Sequence, residues 1–194
     1  MTAGSVTRLV SVLFGLALIA GCTSVRSRKL VGDQPVTLDP KVWNGAWSDG
    51  DEALLFLRVK DATNGVLEVA VPEMTDTEIT LEKFDIHIRK TGDWWWASFK
   101  EKDDDAYTFL RVSEPDKHLL AWSPDPVTFV ERVKAGLLKG ELLKDKEGKE
   151  SGSVILEELK PEHLRALESG EWRNGLKLDK PAMILRRFHP VPKP

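Results

Sequence analysis

The chain has 194 residues but only one cysteine, Cys22, and one tyrosine. A single thiol forms no internal disulfide and no cysteine-ligated zinc site. If that thiol is itself modified, no cysteine nucleophile remains. A marked excess of either charge is also missing. The chain holds 28 Lys and Arg against 31 Asp and Glu, a formal net of −3. A nucleic-acid binder would show a basic excess, so that class is disfavoured.

No phosphate-binding Gly-x-x-x-x-Gly-Lys-Ser/Thr and no dinucleotide fingerprint occurs. No Gly-x-Ser-x-Gly nucleophile elbow occurs either; Ser151-Gly152-Ser153 sits in a hairpin context instead. The four histidines are His87, His118, His163 and His189, and none has a partner at zinc-site spacing. Asp103-Asp104-Asp105 lacks the glycine and closing glutamate of a calcium loop, and reads as a solvated hairpin tip. Acids are plentiful, but nothing picks out a catalytic pair. The sequence thus points to no catalytic residue, no metal site and no cofactor.

One long apolar run is present. Leu9 to Ala20 follows a short positive start that ends in Arg8. Twelve residues are too few for a membrane-spanning helix, which needs roughly 20. They fit the hydrophobic stretch of an export signal over residues 1–21. The closing Leu18-Ile19-Ala20-Gly21-Cys22 resembles the lipobox of bacterial lipoproteins. That resemblance implies cleavage before Cys22 and lipidation of Cys22 with acyl chains such as palmitate. It implies a membrane partner held through three chains, where one chain alone binds only marginally. With Thr23 rather than aspartate next, it implies the outer membrane, with the domain in the periplasm.

Residues 22–41 show little apolar periodicity and contain Pro35 and Pro40. They read as the lipidated cysteine and a flexible tether spanning roughly 25 Å. Arg26, Arg28 and Lys29 on it read as solvated charges.

Residues 42–190 read as a single β-rich domain, with 191–194 a tail. Five or six antiparallel strands with short links are expected over residues 53–122. Asn64-Gly65 signals a tight hairpin with positive φ. Phe84, Ile86 and Ile88 alternate with Asp85, His87 and Arg89, the mark of a strand with one buried face. Asp125-Pro126 opens a short helix over 126–135, and Pro161–Glu168 reads as a second. A hairpin is expected around 139–159 and a last strand over Met183–Phe188. The fold class is mainly β: an antiparallel meander forming a closed or partly open barrel, or a two-sheet sandwich, with two short helices. Gly45-Ala46-Trp47 resembles the Gly-x-Trp start of lipocalin-type barrels. In that family the tryptophan plugs the closed end.

Trp94-Trp95-Trp96 is the most unusual feature. Alternate residues of a strand face opposite sides, so the three cannot share one core. At least one indole belongs on a surface, in a cavity or under a loop; otherwise a helix such as 126–135 covers the second face. Trp94, Trp95 and Trp96 are therefore the candidate ligand or partner surface. Three functions follow in order: a non-enzymatic, membrane-tethered envelope binding module; a lipocalin-like carrier of a small apolar ligand; and an envelope hydrolase. An apolar pocket of roughly 300 Å³ or more favours the carrier, and a filled core favours the module.

Overall fold

The computed structural model describes residues 23–50, 54–74, 78–101, 104–116, 118–172 and 174–188. The expected export signal of residues 1–21, Cys22, Asp103, His189 and the expected tail of residues 191–194 lie outside the described residues.

Eight antiparallel strands close into a barrel. They are β3 (Gly45–Ser48), β4 (Leu54–Asp61), β5 (Val66–Met74), β6 (Ile79–Thr91), β7 (Trp94–Phe99), β8 (Tyr107–Val112), β9 (His118–Trp122) and β12 (Met183–Arg187). Neighbours in sequence pair from β3 to β9. β12 then fits between β9 and β3, so no barrel edge stays open. The reading of a β meander curling into a barrel therefore holds, and the sandwich alternative does not.

Three short helices accompany the strands: α1 (Pro40–Trp43), α2 (Pro126–Lys134) and α3 (Pro161–Glu168). Each begins with proline, whose missing N–H would have no partner in a first turn. Asp39 caps α1 by accepting the Lys41 N–H at 2.8 Å, and Asp125 caps α2 by accepting the Thr128 N–H at 3.0 Å. α1 is the helix that the sequence did not announce.

The chain between β9 and β12 forms a second layer on the barrel's outer wall. It contains α2, the hairpin β10 (Gly140–Lys144) and β11 (Glu150–Leu156), and α3. Strand β1 (Val25–Ser27) joins this layer to the barrel. It pairs antiparallel with β8 and parallel with β11.

The tether reading needs correction. Residues 23–41 are not a free linker, and folded structure begins well before residue 42. Val25, Val31, Val36 and Leu38 are buried, and β2 (Gln34–Pro35) pairs with β6 at Lys90 and Arg89. These apolar residues enter separate parts of the two cores at irregular spacing, so no helix or strand period betrays them. Of the three charges read as solvated, Lys29 is exposed as expected, Arg28 is exposed but paired, and Arg26 is half-buried and paired. Arg26 pairs with Asp104, and Arg28 with Asp105 and Glu141. The acidic tip is therefore a clamp for the N-terminal segment. Burial would push the Asp104 carboxyl up, but the Ala106 N–H and Arg26 outweigh it and hold it below the usual range.

The Asn64-Gly65 turn also differs in detail. Asp61 accepts hydrogen bonds from the Asn64 backbone N–H (3.0 Å) and side-chain Nδ2 (2.7 Å). Only Gly65 takes a positive φ, of 68°. A Cβ there would lie 2.3 Å from the Ile88 carbonyl oxygen, so any larger residue would collide with the wall.

Candidate functional site: the barrel lumen

Strand alternation sends one set of side chains into the barrel. β4 contributes Leu55 and Leu57, β5 Leu67 and Val69, and β6 Phe84, Ile86 and Ile88. β7 adds Ala97 and Phe99, β8 Leu110 and Val112, β9 Leu119 and Ala121, and β12 Met183 and Leu185. With Trp43 these residues line a cavity of about 60 Å³. No charged side chain lines it. Ala97 and Ala121 stop at Cβ, and their shortness leaves part of this space. Phe84, Ile86, Leu119 and Met183 are only half-buried, so the cavity's lining is incompletely covered.

One end of the lumen is a built floor. Trp43 from α1 is buried and stacks on Trp95, with ring centres 6.2 Å apart and planes at 16°. Trp47 is fully buried, and its Nε1 donates to the Trp43 carbonyl at 3.2 Å. Arg187, at the end of β12, lies over Trp47 at 5.5 Å. Its Nη2 donates to the carbonyls of Lys41, Val42 and Asn44 at 3.2, 2.8 and 2.7 Å. The last turn of a helix leaves carbonyls unpaired, and this guanidinium satisfies them around α1. Arg187 locks α1 across the barrel end. The turns Ala62–Gly65, Gly92–Asp93 and Ser113–Asp116 lie at this same end. The opposite end, where β5 passes to β6 and the lining residue Met183 is half-buried, is called the mouth.

The three consecutive tryptophans separate by face. Trp95 points inward to the floor stack, while Trp96 points outward and is fully buried. There an aromatic chain runs from Trp96 to Phe109, Phe129 and Trp172, with successive centres 6.2, 6.2 and 6.1 Å apart. This chain binds the second layer to the barrel. Trp94 is half-buried and also faces outward, at 6.0 Å from Trp96. The Arg111 guanidinium lies between Trp94 and Trp122, at 4.5 and 4.4 Å. Burial lowers its pKa, and the Glu168 charge partly offsets that. The triplet therefore serves two regions, and Trp95 alone belongs to the lumen.

The histidines stay apart. His87 faces outward, edge-on to Tyr107 at 6.3 Å; burial lowers its pKa while Asp85 opposes the shift. His163 stacks on Trp172 at 5.6 Å, and its Nδ1 accepts the Lys160 N–H at 3.2 Å. Burial again lowers its pKa. His118 is exposed on β9. Among the described residues no three His, Cys, Asp or Glu side chains converge into a metal-binding group.

Sequence reasoning missed Trp43 and Arg187. Trp43 carried no periodic sign, because it ends α1 while Trp47 lies on β3, so no single helix or strand spacing relates them. Arg187 carried no sign, because its partners are backbone carbonyls more than 140 residues away.

No protein-family model, no curated protein and no solved structure matches this chain.

Proposed function

We propose that this protein is a lipid-anchored envelope protein whose barrel lumen takes up a slender apolar ligand, such as an acyl chain, without reacting with it. The observation that carries this reading is the lumen wall: sixteen side chains without a charge surround unfilled space above a floor of two stacked indoles. An eight-stranded barrel is just wide enough to be filled by side chains or to hold one small ligand. Unfilled apolar space stays dry and gains contacts when an apolar group enters.

The size of the space limits the ligand. About 60 Å³ falls short of the roughly 300 Å³ set above as the mark of a carrier, so this reading requires the ligand to open the lumen further by moving side chains. A bulky ring system does not fit. A single chain fits if the half-buried side chains of Met183 and Phe84 swing aside. Methionine adapts readily to irregular shapes.

The anchor half of the proposal is supported by the sequence of residues 1–22. A charged start, an apolar stretch and Ile19-Ala20-Gly21-Cys22 place the thiol where a lipoprotein carries its acyl groups. The domain then works from a membrane, by the same resemblance the outer one, on its periplasmic side.

The tightness of the lumen favours a second reading, a non-enzymatic envelope module in which the barrel is a scaffold and a protein partner binds outside. One titration separates the two. A fluorescent apolar dye such as 1-aminoanthracene is bound to the purified domain and displaced with dodecanoic acid. The carrier reading expects saturable one-to-one displacement at micromolar concentrations. No displacement up to about 100 μM, which corresponds to less than about 5.5 kcal/mol of binding, leaves the scaffold reading in place.

A further inference from the structure

The N-terminal segment is tied into the sheet from its first described residues. Ser24 donates its N–H to Ser153 Oγ at 2.9 Å and accepts the Val154 N–H at 2.9 Å. Val25 is buried and in register with Val154. The side chain of Thr23 stands so close to Gly152 that a Cβ on that glycine would meet its Cγ2 at 2.8 Å. The chain is thus already part of the sheet at Thr23 and Ser24. Consecutive Cα atoms are 3.80 Å apart, so covalent geometry keeps Cys22 within about 8 Å of Ser24. A leash of that length gives the domain no freedom to stand clear of lipid.

Topology fixes which end faces the lipid. β8 runs from the mouth towards the floor, ending at Val112 before the floor-side turn Ser113–Asp116. β1 is antiparallel to β8, so it starts on the floor side. β11 is parallel to β1, so the turn that precedes it, Asp145–Lys149, also lies on the floor side. That turn is exposed and held rigidly, because Asp145 Oδ1 accepts the N–H groups of Glu147 and Lys149, each at 2.9 Å. Among the described residues Lys149 pairs with Glu147 and Lys134 with Glu150, while Lys144 and Lys146 are exposed without an ion pair. Lys144 and Lys146 flank the exposed Asp145 carboxylate, and the floor-side turns carry exposed Asp93, Glu114 and Asp116, so it is the short leash and not charge that brings this face to the bilayer.

We infer that the lipid on Cys22 holds the domain directly against the bilayer, with the β10–β11 turn and the barrel floor towards the lipid and the mouth turned away from it. This rests on the lipid-anchor reading of Cys22. The proposed ligand would then enter from the aqueous side, not by lateral diffusion out of the anchoring leaflet.

The test uses the full, acylated chain in vesicles of phosphatidylethanolamine and phosphatidylglycerol with nitroxide-labelled headgroups. Acylated Cys22 offers no thiol, so a fluorophore goes only to an introduced cysteine. Lys146→Cys reports the turn, and Leu81→Cys reports the mouth, where β6 begins and Leu81 is exposed. At least threefold stronger quenching at position 146 is expected. A ten-residue Gly/Ser insert between Thr23 and Ser24 is expected to level the two. Equal quenching without the insert, or stronger quenching at 81, overturns the orientation while leaving the anchor intact. A native protein whose mass shows no acyl group on Cys22 overturns the anchor and the orientation with it.

Discussion

β7 and β8 carry two cores on their opposite faces, and the two are built differently. The inner face presents Ala97, Phe99, Leu110 and Val112 to the lumen, where space remains. The outer face presents Trp96 and Phe109 to the second layer, where Phe129, Leu164 and Trp172 close over them. Aromatic rings fill the outer core in a continuous chain, while the upper lumen is lined mostly by aliphatic groups around a gap. Two small residues on the strands that flank β8, Ala97 and Ala121, account for part of the difference. The second layer closes the barrel wall from outside with tightly grouped rings. The lumen inside that wall stays imperfectly packed, which ordinary protein interiors avoid.

This contrast can be broken in several ways. The largest effect is expected from Trp96→Ala, which empties the fully buried centre of the outer core. A loss of about 3–5 kcal/mol is expected, seen as a fall in Tm of roughly 6–20 °C by calorimetry. A fall below about 2 °C would mean that the second layer does not hold the barrel. Next comes Arg187→Met, which keeps bulk over Trp47 but removes the donor to two α1 carbonyls and to that of Asn44 just after it. About 1–3 kcal/mol is expected, together with faster amide exchange in Lys41–Asn44 than in β4. Uniform exchange would show that α1 does not depend on this arginine.

The smallest effect is one of pH. His163 has a lowered folded pKa, so its contribution to stability is complete above the usual histidine value. That contribution is lost as pH falls through 6.5 and on through the lowered value. Protonation also removes the Nδ1 acceptor for the Lys160 N–H. Stability should therefore decline from pH 7.5 to pH 5. His163→Gln, which keeps an acceptor without titrating, should flatten that decline in part, because His87 shares the direction of shift. Parallel pH profiles for the two proteins would contradict this assignment.

The barrel was legible because its signals are local. Alternation through Phe84, Ile86 and Ile88, turns at Gly65 and Gly92, and Asp-Pro and Lys-Pro helix starts each involve a few neighbouring residues. The N-terminal segment was not legible, because isolated valines at irregular spacing reveal nothing until a wall exists to receive them. Its charges misled for the same reason: the partners of Arg26 and Arg28 lie 78 and 77 residues away. Of the candidate site, the tryptophan triplet was visible and its division between two faces followed from alternation. Which face would be the lumen was not, since both faces are apolar and only strand closure separates inside from outside.

The central claim is that the gap in the lumen is there to be occupied. Ala97→Leu tests it most directly, because the added side chain fills that gap from a position pointing into it. The account predicts that dodecanoic acid binds at least tenfold more weakly to the variant than to the unaltered domain. It also predicts a Tm within about 3 °C, since filling space costs little where packing is loose. Unchanged affinity in a variant that folds as stably as the parent would contradict it.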